Sequence, residues 1–150
     1  MSALYVDTSA LIKRYMTESG SNWIKTLLNP ANGNVIIVCD LTAVEVFSTL
    51  ARRQREKTIS RARVQILQSH FLVDFEREYL SLALKDVIVV RARDLITKYP
   101  LRSLDALQLS SAIEATNILG EQLTFLSADK NLLAVAASNG FQTDDPNNHP

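Results

Sequence analysis

The chain has 150 residues, 47% hydrophobic and 21% charged, with 4 glycines and 4 prolines; this is the make-up of one globular domain with an ordinary core and excludes a disordered chain. Sixteen acidic side chains balance sixteen basic ones, so no global positive field marks a nucleic-acid partner. The start, Met1-Ser2-Ala3-Leu4-Tyr5-Val6-Asp7, has no signal-like stretch, and no apolar run reaches the about 18 residues of a membrane span; the expectation is a soluble cytoplasmic protein with no membrane partner.

Leu4-Tyr5-Val6 is short and β-prone, and Asp7-Thr8-Ser9 hands it over to a predicted helix from Ala10 to Met16. Ser21 then caps a helix over Asn22–Asn29, in which Trp23, Leu27 and Leu28 recur at helical spacing. A loop follows at Asn29-Pro30-Ala31-Asn32-Gly33, and Val35 to Cys39 reads as a second strand. Cys39, alone in the sequence, forms no internal disulfide and reads as a packed strand residue.

Thr42-Ala43-Val44-Glu45 matches a capping box opening a helix to about Lys57, with Val46, Phe47 and Leu50 on one side. Arginines gather at its far end, where the helix dipole favours them: Arg52, Arg53 and Arg55, then Lys57, Arg61 and Arg63. Such a run reads either as a solvated face or as a phosphate-binding patch. Ser60 caps the next helix, through Ile66, Leu67, Phe71 and Leu72. Tyr79–Leu84 is a predicted strand, and Asp86–Tyr99 a predicted helix, although Val87-Ile88-Val89-Val90 also suits a strand.

Beyond the Pro100 break, Ser103 caps a helix over Leu104–Leu119, with Gly120 at its left-handed stop. Leu123–Leu126 is a fourth strand, Asp129–Asn139 a last helix ended by Gly140, and Phe141-Gln142-Thr143 a short fifth strand. Residues 144–150 read as a frayed, flexible tail after a single domain over 1–143. Strands alternating with helices imply an α/β fold around a mainly parallel central sheet of four to five strands. Functional sites in such sheets collect at the C-terminal strand edge.

Four acids fall near that edge. Asp7 and Asp129 each follow a predicted strand, while Glu45 and Asp105 each lie in the predicted first turn of a helix. Taken singly, each also reads as a capping, dipole or junction residue. Jointly they share an apolar setting, as in Leu4-Tyr5-Val6-Asp7, Val44-Glu45-Val46-Phe47 and Leu104-Asp105-Ala106-Leu107, which places carboxylates at the rim of the core. If they converge to about 6 Å, each ionised pair repels by roughly 3 kcal/mol at an effective dielectric near 20, and helix N-termini offset only about 0.3–1 kcal/mol apiece. A cation is then required, and an all-oxygen donor set suits Mg²⁺ or Mn²⁺ better than Zn²⁺. His70 and His149 stand alone and read as surface residues.

Tyr5-Val6-Asp7-Thr8-Ser9-Ala10-Leu11-Ile12-Lys13, the mid-chain Glu45, Ser103-Leu104-Asp105-Ala106-Leu107-Gln108-Leu109, and Phe125-Leu126-Ser127-Ala128-Asp129 with Leu132-Leu133 resemble the successive motifs of PIN-domain ribonucleases. The likeness is strongest to the VapC toxins of toxin–antitoxin pairs and spans residues 3 to about 141. Ser127 stands where that family often has threonine, and Asn131 where some members carry a further acid. The resemblance implies a three-layer PIN-like fold, an RNA substrate, a homodimer and an antitoxin partner that blocks the site.

On this reading Asp7, Glu45 and Asp105 hold the principal Mg²⁺ or Mn²⁺, Asp129 completes the site, and an activated water attacks the phosphate in line. Ser9 and Ser127 orient the ligands, Thr8 less clearly so, and Arg52, Arg53 and Arg55 track the RNA backbone. Two rival readings stand beside it. One is a phosphatase or phosphotransferase with Asp7 as nucleophile, which lacks a second aspartate at position 9 and a convincing catalytic lysine. The other is a non-catalytic RNA- or protein-binding module that keeps the fold.

Overall fold

A computed structural model describes residues 2–150. Its centre is a parallel sheet of β1 (Ala3–Val6), β2 (Val35–Cys39), β3 (Tyr79–Leu82), β4 (Thr124–Leu126) and β5 (Gln142–Asp144), in the order β3-β2-β1-β4-β5. The helices are α1 (Thr8–Leu11), α2 (Ser21–Leu27), α3 (Asp40–Arg55), α4 (Arg61–Arg77), α5 (Asp86–Lys98), α6 (Ser103–Leu119) and α7 (Lys130–Ser138).

Alternation along β1 and β2 divides the core in two, since successive strand residues point to opposite faces. Leu4, Val6, Ile36 and Val38 join side chains of α1 to α4, including Leu11, Ile24, Leu50 and Phe71. Ala3, Tyr5 and Ile37 join those of α5 to α7, including Leu95, Leu109 and Leu132. The result is the three-layer, PIN-like α/β fold that the sequence implied, with a sheet that is wholly rather than mainly parallel. Helix α5 forms despite its β-branched run because Ile88, Ala92 and Leu95, at helical spacing, are the residues it buries, leaving Val87, Val89 and Val90 toward solvent.

Several expected boundaries move. The predicted helix from Ala10 to Met16 is instead α1, starting at Thr8, followed by a 3₁₀ turn at Ile12–Arg14. Helix α3 begins at Asp40, directly after β2, so Cys39 is its N-cap and Thr42 its third residue; the Cys39 amide donates to Thr42 Oγ1 at 3.4 Å. Glu45 is therefore not the partner in a capping box but lies in the second turn, free for other contacts. Ser21 and Ser103 are first helical residues rather than caps.

Residues 144–150, expected from sequence as a frayed tail, carry short elements of their own. Asp144 closes β5, Pro146–Asn148 form a 3₁₀ turn, and the His149 ring stacks on Trp23 with centroids 4.0 Å apart. Gly20 makes room for this segment: at φ 84° it occupies the left-handed region, and a Cβ there would lie 2.2 Å from the Pro146 carbonyl oxygen. Polar composition alone hid these contacts, which join the tail to residues far back in the chain. Among the described residues, no helix is long and apolar enough to cross a membrane.

Candidate active site

Strand β1 lies between β2 and β4, so the chain leaves β1 toward one side and later returns on the other. A crevice opens at the C-terminal ends of strands at such a switch point. A cleft of about 380 Å³ lies there, and Asp7, Glu45, Asp105 and Asp129 all line it, with Thr8, Ser9, Lys13, Glu18, Arg52, Arg53 and Arg102. The four acids named from sequence are thus brought to one cavity.

Asp7 directly follows β1, anchored by its amide to the Leu126 carbonyl at 2.9 Å, and is 4% exposed. Two hydroxyls converge on its Oδ2: Ser9 Oγ donates at 2.6 Å and Ser127 Oγ at 2.9 Å. The loop after β4 is tied to the same pair, as the Ala128 amide donates to Ser9 Oγ and the Asp129 amide to Ser127 Oγ. Both serines singled out from sequence thus hold this one carboxylate. Burial pushes the Asp7 carboxyl above its ordinary pKa, against the pull of the two serines, and the charge of Asp105 adds to the rise.

Glu45 is held by two other side chains. Gln108 Nε2 donates to Glu45 Oε1 at 2.6 Å and Thr8 Oγ1 at 3.1 Å, which gives the uncertain Thr8 a definite contact. Gln108 is fully buried and is itself fixed by Tyr5, whose hydroxyl donates to Gln108 Oε1 at 2.7 Å. Burial raises the Glu45 pKa too, opposed by Gln108 and Thr8 and reinforced by Asp7 and Asp105. Gln108 was not singled out from sequence, although an amide one turn after Asp105 on the apolar face of a helix is the signal that marks it.

Asp105 lies in the first turn of α6 and Asp129 caps α7, its Oδ1 accepting from the Leu132 amide at 3.0 Å. Arg102, likewise unforeseen, bridges the two: its Nε donates to Asp105 Oδ2 at 3.1 Å and an Nη to Asp129 Oδ2 at 3.2 Å. Of the three arginines expected to contact RNA, Arg52 and Arg53 line the cleft and Arg55 does not. Arg53 is paired with Glu18 at 2.8 Å, and Arg52 is exposed with Glu56 4.0 Å away.

Among the described residues, no three His, Cys, Asp or Glu side chains are gathered closely enough to hold a metal ion. The residue types nevertheless fit a hard cation, since the acids offer only oxygen, two are raised in pKa by burial and mutual charge, and two already share a cation in Arg102.

Comparison with curated proteins finds no match. Solved structures are similar in fold. VapBC2 from Rickettsia felis, bound to a DNA fragment from its promoter, aligns with TM-score 0.66 at 13% identity, over 95% of this chain and 98% of that one. FitAcB from Neisseria gonorrhoeae aligns with TM-score 0.64 at 11% identity, over 95% and 97%. A toxin–antitoxin complex from Klebsiella pneumoniae aligns with TM-score 0.56 at 17% identity, over 95% and 97%. The PIN domain family model matches residues 4–138, nearly the whole folded chain, and the chain belongs to the PIN-domain family.

Proposed function

We propose that this chain is a Mg²⁺- or Mn²⁺-dependent ribonuclease of the cytoplasm and the toxin of a toxin–antitoxin pair, assembled as a homodimer and blocked by its antitoxin. The observation that carries the catalytic part is the buried Asp7, held by two hydroxyls beside Glu45, Asp105 and Asp129 in one cleft, where the buried Lys13 is paired with Glu18. A structural neighbour that is itself a toxin–antitoxin complex supports the partner.

Asp7, Glu45 and Asp105 would hold the principal ion and Asp129 would complete the set. When bound, such an ion supplies Lewis-acid chemistry, acidifying water and neutralising charge at phosphorus. The chain's own residues do the rest. Ser9 and Ser127 fix Asp7, and Gln108 with Thr8 fixes Glu45, so neither carboxylate must be ordered when a ligand arrives. Arg52, exposed at the rim, offers a contact for the RNA backbone.

One observation favours a second reading, a PIN-fold binding module without catalysis: the carboxylates are not drawn into a coordination sphere. An RNA-cleavage assay separates the two. Cleavage with Mn²⁺ that is lost in EDTA and in Asp7→Asn upholds the nuclease, whereas RNA binding without cleavage by the parent upholds the module.

A further inference from the structure

Arg102 differs from every other cation around the cleft. Lys13 and Arg53 are both committed to Glu18, at 3.3 and 2.8 Å, and Arg52 faces Glu56. Among the described residues, Arg102 is the one cation within ion-pair distance of any of the four acids, and it reaches two, Asp105 and Asp129. Its planar fork spans carboxylates from the starts of two helices, α6 and α7, which a point-charge ammonium does less well. Its side chain is 80% exposed, so it is anchored by nothing except this bridge and its backbone.

We infer that Arg102 is a built-in counter-ion that occupies Asp105 and Asp129 in the metal-free protein and competes with the divalent cation for them. The inference rests on the proposed function's assignment of these acids to the ion. The same Oδ2 atoms that accept from Arg102 belong to carboxylates the ion needs. Exposed ion pairs are weak and screened by salt, so the guanidinium quiets the repulsion among the acids and yields to a doubly charged ion. Binding then frees the arginine at the rim of the cleft.

Calorimetric titration of Mn²⁺ into the full chain at low salt tests this. Arg102→Gln is expected to bind Mn²⁺ about three- to tenfold more tightly than the parent, the scale of two exposed pairs. Arg102→Lys falls between, and the gap narrows as salt is raised. Arg52→Gln, which removes a charge from the same cleft without touching the acids, changes affinity less. Equal Mn²⁺ affinity in the parent and Arg102→Gln overturns the inference while leaving the cation site standing, and so does an Arg52→Gln effect as large as that of Arg102→Gln. Absence of Mn²⁺ binding in the parent overturns the cation reading and this inference with it. Should Arg102→Gln fail to fold, Arg102→Lys gives the same decision: affinity above the parent supports competition and unchanged affinity refutes it.

Discussion

Asp7 and Asp74 are both buried acids, at 4% and 5% exposure, yet the chain surrounds them differently. Asp74, on α4, accepts from the Tyr15 hydroxyl at 2.8 Å, with Arg14 at 3.7 Å and His70 at 3.5 Å from the same oxygen. Arg14 in turn reaches Glu78 and the Tyr79 hydroxyl, each at 2.8 Å. Burial pushes Tyr79 up to about 12 and Tyr15 higher still, so both stay protonated as donors. That cluster is closed: its acids, cation and hydroxyls answer one another. Asp7 accepts from neutral hydroxyls and, among the described residues, has no ion-pair partner, and the cation of its cleft that bridges candidate acids, Arg102, is exposed and reaches different carboxylates. A closed polar cluster serves stability, while an open one is completed from outside.

The largest effect is expected where the closed cluster loses its cation. Arg14→Met strands Asp74 and Glu78 and should destabilise the protein by about 3 kcal/mol, read as a lower midpoint in urea. Gln108→Leu comes next: it leaves the Tyr5 hydroxyl without its partner and Glu45 with Thr8 alone, costing about 1–3 kcal/mol, and it weakens Mn²⁺ binding by about 10- to 100-fold because Glu45 is less firmly held.

A third difference appears with pH. Asp7 and Glu45 bind protons more tightly folded than unfolded. Between the ordinary carboxylate pKa, about 4, and their raised folded values, the native state holds protons the unfolded chain releases. The metal-free protein therefore loses stability from these groups as pH rises through that window, and Asp7→Asn should flatten the decline in melting temperature; parallel curves would deny Asp7 its raised pKa. The smallest effect concerns RNA. Arg52→Ala should lower the salt slope of binding by nearly one phosphate contact, and Arg53→Ala by less, since Arg53 is already paired with Glu18.

Much of this is legible in the sequence. Alternating elements and apolar runs mark an α/β fold with a parallel sheet, the family resemblance implies its three layers, and an acid inside an apolar segment singles out each of the candidates Asp7, Glu45, Asp105 and Asp129. What stayed hidden depends on contacts between distant segments. Gln108 matters because it meets Glu45, 63 positions away, and Arg102 because it meets Asp129, 27 away. Thr42 read as a cap because its side chain and the spacing to Glu45 fit; β2 runs straight into α3, and Cys39 takes the cap instead. The tail has few apolar residues of its own, so nothing in its sequence signals that His149 stacks on Trp23 and Pro146 passes close to Gly20.

The contrast between the two buried acids is tested most directly by thermal melts of the parent, Asp7→Asn and Asp74→Asn, each with and without Mn²⁺. Stabilisation by a ligand grows with the logarithm of its concentration over its dissociation constant, so the Mn²⁺-induced shift reports the site itself. Without metal, Asp7→Asn is expected to melt at or above the parent, because a buried charge among acids is gone, and with Mn²⁺ its shift is reduced or lost. Asp74→Asn is expected to melt below the parent yet keep the parent's Mn²⁺ shift. If instead Asp7→Asn melts lower without metal and retains the full Mn²⁺ shift, Asp7 belongs with Asp74 as a structural acid, and the cleft is not a cation site.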